Sequence, residues 1–172
     1  MKIFGFVGWS GSGKTRLIVK LLPILIERGY TVSTIKHAHH NFDIDKPGKD
    51  SFEHRKAGAS ELMIASEKRW ALMREHRGTI EPNPITLISK MKPVDIILIE
   101  GFKKYKHPKI EVYRSHLAQP LIHPEDPDIV GIASDQEVKA TIKRLNIEDF
   151  HAIAAFIENY CRLKQHVSPE VV

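Results

Sequence analysis

A lysine that precedes a threonine and follows a glycine lying five residues after another glycine is equipped to hold a polyphosphate. Gly8-Trp9-Ser10-Gly11-Ser12-Gly13-Lys14-Thr15 fits the pattern G-x-x-x-x-G-K-[ST] without a gap. Each residue type has a task there. The glycines let the backbone turn tightly so that N–H groups point inward at phosphate oxygens, which Ser10, Gly11, Ser12 and Gly13 would do together. Lys14 reaches the β- and γ-phosphates, and the Thr15 hydroxyl stands where Mg²⁺ sits between them. Arg16 adds a positive charge beside the loop. The second chemical position is Glu100, which closes the apolar run Ile96-Ile97-Leu98-Ile99. A carboxylate at the end of such a run has the form of a Walker B acid, holding Mg²⁺ directly or through a water. Asp43, Asp45 and Asp50 are further carboxylates for the same ion, Asp45 being the one assigned to the metal here.

A third group lies between these two motifs. His37, His39 and His40 are close enough in sequence to suggest a metal cluster, but an extended chain puts His40 on the face opposite His37 and His39, and no cysteine completes a tetrahedral set. Contacts to phosphate suit these side chains better than zinc. Lys49 and Asp50 belong to the same irregular stretch, and Arg55 and Lys56 either clamp an anionic ligand or are plain helix-surface charge. What is missing also counts. No [NT]-K-x-D run that would read guanine occurs, Asp45-Lys46-Pro47-Gly48 falls too early for a standard switch, and no glutamine is placed to orient an attacking water. Hydrolysis should therefore be slow.

The elements that must carry these residues follow from the pattern. Lys2–Val7 is an apolar strand, and Lys14–Arg28 a helix stopped at Gly29 and kinked near Pro23. Thr31–Lys36 is a β-branched strand, 37–50 a long loop, and Ser51–Ala57 a short helix with Ser51 near its cap and Gly58 at its end. Glu61–Ala65 and Arg69–Met73 read as a hairpin, and Ile85–Met91 as an amphipathic helix. Asp95–Glu100 reads as a central parallel strand, with Lys109–Tyr113 and Ile129–Ser134 as further strands. A helix over Ile147–Lys164 closes the chain, with Asn146 and Asp149 as caps. Strand, phosphate loop and helix followed by more β and α segments predict one α/β domain over residues 1–172. It has the P-loop NTPase fold, a mostly parallel sheet flanked by helices with a β-hairpin extension. In that fold the carboxyl ends of the strands bring Gly8, His37 and Glu100 to one crevice.

Composition agrees. The chain has 172 residues, 42% hydrophobic and 27% charged, enough to bury a core of its own. The run Leu17–Ile26 is too short and too polar to span a bilayer, and the first residues carry no signal-peptide pattern, so a cytoplasmic protein is expected. One cysteine, Cys161, excludes an internal disulfide. The net charge of +5 favours anionic partners, but the positive charge gathers at Lys46, Lys49, Arg55 and Lys56 and again at Lys103, Lys104, Lys106 and Lys109, in segments that follow strands with few aromatic residues interleaved, which speaks against nucleic acid.

The motifs taken together resemble a known family. Trp9–Thr15, Ile35–His40, Asp45–Ser51, Arg55–Ala59, Arg69–Met73, Glu100–Lys103 and Ala133–Asp135 occur in the order of the molybdopterin-guanine dinucleotide biosynthesis adaptors, the MobB family. The resemblance covers nearly the whole chain and weakens after Gln136. It implies a GTP-binding protein with weak GTPase activity, usually a homodimer, that assists the guanylyltransferase attaching a guanine nucleotide to the molybdenum cofactor. It also implies possible delivery of that cofactor to molybdoenzymes. By the same resemblance Ser10–Thr15 hold the triphosphate with Mg²⁺, and Asp135 is a candidate for contacting the base. The region from His37 to Arg55 is then the place for molybdopterin or the partner. A small-metabolite kinase would use the same loop and Glu100, with residues 37–56 holding an acceptor, and is the competing reading.

Overall fold

A computed structural model describes residues 1–38 and 42–164. The chain forms two compact units, Met1–His37 with Ser89–Val172, and Ala38–Ile88. In the first, β1 (Lys2–Val7), β2 (Val32–Lys36), β5 (Ile96–Glu100), β6 (Lys109–Tyr113), β7 (Ile129–Ser134) and β8 (Lys143–Asn146) form a six-stranded sheet in the order β2-β5-β1-β6-β7-β8. Every pairing is parallel. Parallel neighbours need crossovers, and those crossovers leave all the carboxyl ends on one edge.

Alternation along the strands divides the sheet into two chemically different faces. Phe4, Phe6, Ile96, Leu98, Ile110 and Val112 point to the face covered by α1 (Lys14–Glu27) and α4 (Phe150–Cys161), where Leu17, Leu21, Leu25, Ile153 and Ile157 complete a core. On β6 the opposite face carries Lys109 and Glu111, both about 1% exposed. Such charges survive burial only when paired and hydrogen-bonded. Lys109 Nζ lies 2.7 Å from Asp126 Oδ2, and Glu111 accepts from the backbone N–H groups of Ile122 and His123 at 2.8 and 2.9 Å. Lys109, which in the sequence looks like the last of a charged run at the start of a strand, is therefore a structural ion-pair partner. His107 lies on the same side. Burial holds its imidazole below the usual histidine range, with Lys109 pushing the same way.

Most expected elements form, with instructive shifts. The first helix continues through Pro23 and ends at Glu27. The last begins only at Phe150, where the Asp149 side chain accepts from Ala152 N–H at 2.9 Å. The residues before it make β8, an unanticipated strand. Its sequence Lys-Arg-Leu-Asn is four residues long with Leu145 alone partly covered, too short and too polar to show an apolar alternation. Cys161 is buried in α4, which raises its thiol to about 11 and leaves it unreactive.

In the second unit α2 (Asp50–Ala57) starts one residue earlier than expected, with Lys49 rather than Ser51 at the cap position and no side-chain cap bond. The hairpin β3 (Glu61–Ala65) and β4 (Trp70–Arg74) forms its own two-stranded antiparallel sheet. α3 (Pro84–Ile88) is shorter than the sequence suggested; the Asn83 side chain accepts from Thr86 N–H at 2.9 Å.

Candidate functional site

The loop after β1 is built as a cradle. Gly8 has φ +153°, and a Cβ there would lie 2.4 Å from the Val112 carbonyl oxygen and 2.7 Å from Ser12 Oγ, so no side chain fits. The Ser12 hydroxyl is buried without a hydrogen-bond partner. A buried hydroxyl left unpaired costs about 1–3 kcal/mol, and a phosphate oxygen in the cradle would relieve it. Gly13 adopts the left-handed conformation before α1, whose first N–H groups open toward the same place. The donor set fits a polyphosphate.

Lys14 folds back over the loop, donating to the carbonyl oxygens of Gly8 at 3.1 Å and Trp9 at 2.9 Å. Burial pushes its ammonium below the ordinary lysine range. The Glu100 carboxylate opposes that shift, and Lys103 and Lys36 reinforce it. Thr15 Oγ1 donates to Glu100 Oε1 at 2.7 Å. Parallel pairing accounts for that meeting: Phe6 lies opposite Glu100 in the sheet, so the loop after β1 passes over the end of β5. A hydroxyl and a carboxylate oxygen are the hard ligands Mg²⁺ takes when water and phosphate supply the others. The residues thus fit the ion at Thr15 and Glu100. Among the described residues no group of three or more His, Cys, Asp or Glu side chains could hold a metal by itself.

Several contributors escaped the sequence reading as site residues. Lys36, at the end of β2, lies opposite Glu100 in the register and reaches Thr15 Oγ1 at 3.3 Å. Lys103 Nζ stands 4.8 Å from the centre of the Trp9 ring, a cation–π contact beside the loop. Arg114 donates to Glu148 at 2.9 Å and lies 3.9 Å from Asp135, with its guanidinium beside Gly13. The signals for these cations were position, at or shortly after a strand's carboxyl end, and for Lys36 and Lys103 their place inside the motifs Ile35–His40 and Glu100–Lys103.

Arg16 is held by Glu148 through two bonds of 2.7 Å. Those bonds, with those from Arg114, hold the Glu148 carboxyl at about 2. Asp135 accepts from Ser115 N–H at 3.0 Å and lines an open cleft of about 410 Å³ with Ser134, Arg144 and Asn146. His37 bonds through its N–H to the Glu100 carbonyl oxygen, and its ring stacks on Phe102 at 4.4 Å. Gly101 permits that approach, since a Cβ there would come within 2.9 Å of His37 Cβ.

The remaining anticipated residues belong to the second unit. Arg55 bonds to Asp43 and Asp45 at 2.7 Å and to Glu75 at 2.9 Å, and its guanidinium lies 5.4 Å from the centre of the Phe52 ring. Glu75 and Asp45, the strongest of these partners, raise its already high pKa. Asp45 is buried in this cluster, whereas Lys49, Asp50 and Lys56 are exposed. His39 and His40 lie outside the described residues.

Comparison with known proteins agrees with this arrangement. The family model described as MobB, molybdopterin guanine dinucleotide synthesis protein B, matches residues 3–135. An Escherichia coli (strain K12) protein named molybdopterin-guanine dinucleotide biosynthesis adapter protein is 41% identical over 160 residues, covering 90% of each chain. A Haemophilus influenzae protein of the same name is 40% identical, covering 92% of this chain and 88% of its own. A crystal structure of molybdopterin-guanine biosynthesis protein B superposes with a TM-score of 0.71 at 29% identity, over 93% of this chain and 99% of the other. The Bacillus subtilis MobB structure, at 20% identity and TM-score 0.72 over 96% of this chain and all of its own, shares the fold. With a phosphate cradle at the expected sheet edge and relatives matched along nearly their full length, the chain belongs to the molybdopterin guanine dinucleotide synthesis protein B family.

Proposed function

We propose that this chain binds GTP with Mg²⁺ at the loop 8–15, turns it over slowly at most, and acts as a homodimeric adaptor in molybdopterin guanine dinucleotide synthesis. The observation that carries the nucleotide reading is the buried, unpartnered Ser12 hydroxyl beneath a loop whose Gly8 tolerates no side chain. Lys14 exchanges its bonds to the Gly8 and Trp9 carbonyls for phosphate oxygens, which also restores a counter-charge to its half-buried ammonium. Thr15 and Glu100 hold the ion, which neutralises charge on the β- and γ-phosphates when bound. Asp135 and its cleft provide the place for the base.

The adaptor role comes from the names of the relatives. A guanylyltransferase is the proposed partner, and segment 37–56, with exposed Lys49 and Lys56, is the proposed place for it or for molybdopterin. Calorimetric titration with GTP, GDP and ATP in the presence of Mg²⁺ tests the reading. GTP should bind best, and Lys14→Ala should lose triphosphate affinity by at least roughly a hundredfold while its far-UV spectrum stays unchanged. Unaltered GTP affinity in Lys14→Ala would falsify the site. ATP preference together with phosphoryl transfer to an added alcohol acceptor would replace the adaptor by a kinase.

A further inference from the structure

Lys36 stands on the two oxygens that suit the divalent cation. Its Nζ is 3.3 Å from Thr15 Oγ1 and 3.4 Å from Glu100 Oε1, and those two oxygens are themselves 2.7 Å apart. The arrangement is not a chance reach of a long side chain. β2 and β5 are parallel with Lys36 opposite Glu100, so the sheet register delivers the amine to the carboxylate at the edge where the loop crosses. Glu100 is only 12% exposed at its side chain and among the described residues forms no other ion pair within 4.0 Å, while the Lys36 side chain is 60% exposed and able to swing away. An ammonium and a Mg²⁺ ion cannot share the same pair of oxygens, because like charges at contact distance repel and each needs the same lone pairs.

We propose that Lys36 is a positioning residue that competes with the divalent cation for Thr15 Oγ1 and Glu100 Oε1, so that the metal enters well only with a triphosphate that supplies its remaining ligands. This rests on the reading of loop 8–15 as a nucleotide site. The ammonium keeps the carboxylate aimed at Thr15 and makes the protein a poor binder of free Mg²⁺. Once released, Lys36 carries its charge at the same rim as Lys14 and Lys103. The device couples cation and nucleotide uptake by simple exchange, with no movement of the backbone.

The test is Mn²⁺ binding to the full chain without nucleotide, followed by electron paramagnetic resonance, with Glu100→Gln defining the background. Lys36→Met should bind Mn²⁺ roughly two- to fivefold more tightly than the wild type, the scale expected for removing an exposed competing ion pair. Lys36→Arg should bind Mn²⁺ no more tightly than the wild type, because the guanidinium also puts a positive charge on the carboxylate and pairs with it at least as well. Equal affinities in wild type and Lys36→Met, weaker binding in Lys36→Met, or no binding above background in either would overturn the proposal. A parallel titration with GTP and ATP separates the two readings. Tighter Mn²⁺ binding in Lys36→Met, with no triphosphate bound by the wild type, would sink the nucleotide site and leave the competition intact.

Discussion

Around the phosphate loop single side chains answer to charge more than to shape. Glu148 is exposed, yet two arginines hold its carboxyl at about 2, Arg16 through two bonds and Arg114 through one. A carboxylate depressed in the folded state stabilises that state above its unfolded pKa and loses the contribution as pH falls through the folded value. The relevant window runs from about 4.5 down to about 2. Glu148→Gln should lower the melting temperature modestly at pH 7 and flatten its decline across that window. Parallel declines in the two proteins would show that solvent screens the pair completely.

At the scale of elements the hairpin stands largely exposed, with no buried residue in either strand. Met63 and Leu72 are directly paired across β3 and β4, and both are exposed, as is Trp70. A two-stranded hairpin with an apolar surface is marginal in water unless something covers it. In the proposed homodimer the covering surface is the second copy. Leu72→Asp should then give monomers in sedimentation equilibrium at concentrations where the wild type is dimeric. A Leu72→Asp protein that stays dimeric would remove the hairpin from the interface. The opposite case is α4, whose buried Ile153 and Ile157 face β1 and α1 and whose exposed side needs no partner.

For the molecule as a whole, the core and the candidate site rest on the same sheet. Ile157 is fully buried in the core beneath β1, and Ile157→Ala should cost about 2–5 kcal/mol in urea unfolding, through lost transfer energy and a cavity. A loss below about 1 kcal/mol would mean that α4 repacks to fill the space. Among the described residues no helix is long and apolar enough to cross a membrane.

Local chemistry alone announced the tight loop between β1 and α1, because eight consecutive residues specify their own conformation. The apolar run ending at Glu100 likewise declared a buried parallel strand, and Gly58 the end of α2. What the sequence could not say is which charges meet. Lys36 and Glu100 are 64 positions apart and become neighbours only through the register of β2 against β5. Lys109 reads as the last of a charged run at the start of a strand, and only the fold shows that alternation along β6 turns it to the face where Asp126 waits. Arg55, weighed as an anion clamp or a surface charge, is taken up by three carboxylates of its own unit. β8 has no pattern of its own and exists because β7 offers a free edge. Motifs record short-range geometry, whereas pairing of charges across strands is set by sheet order and register, which only the folded chain possesses.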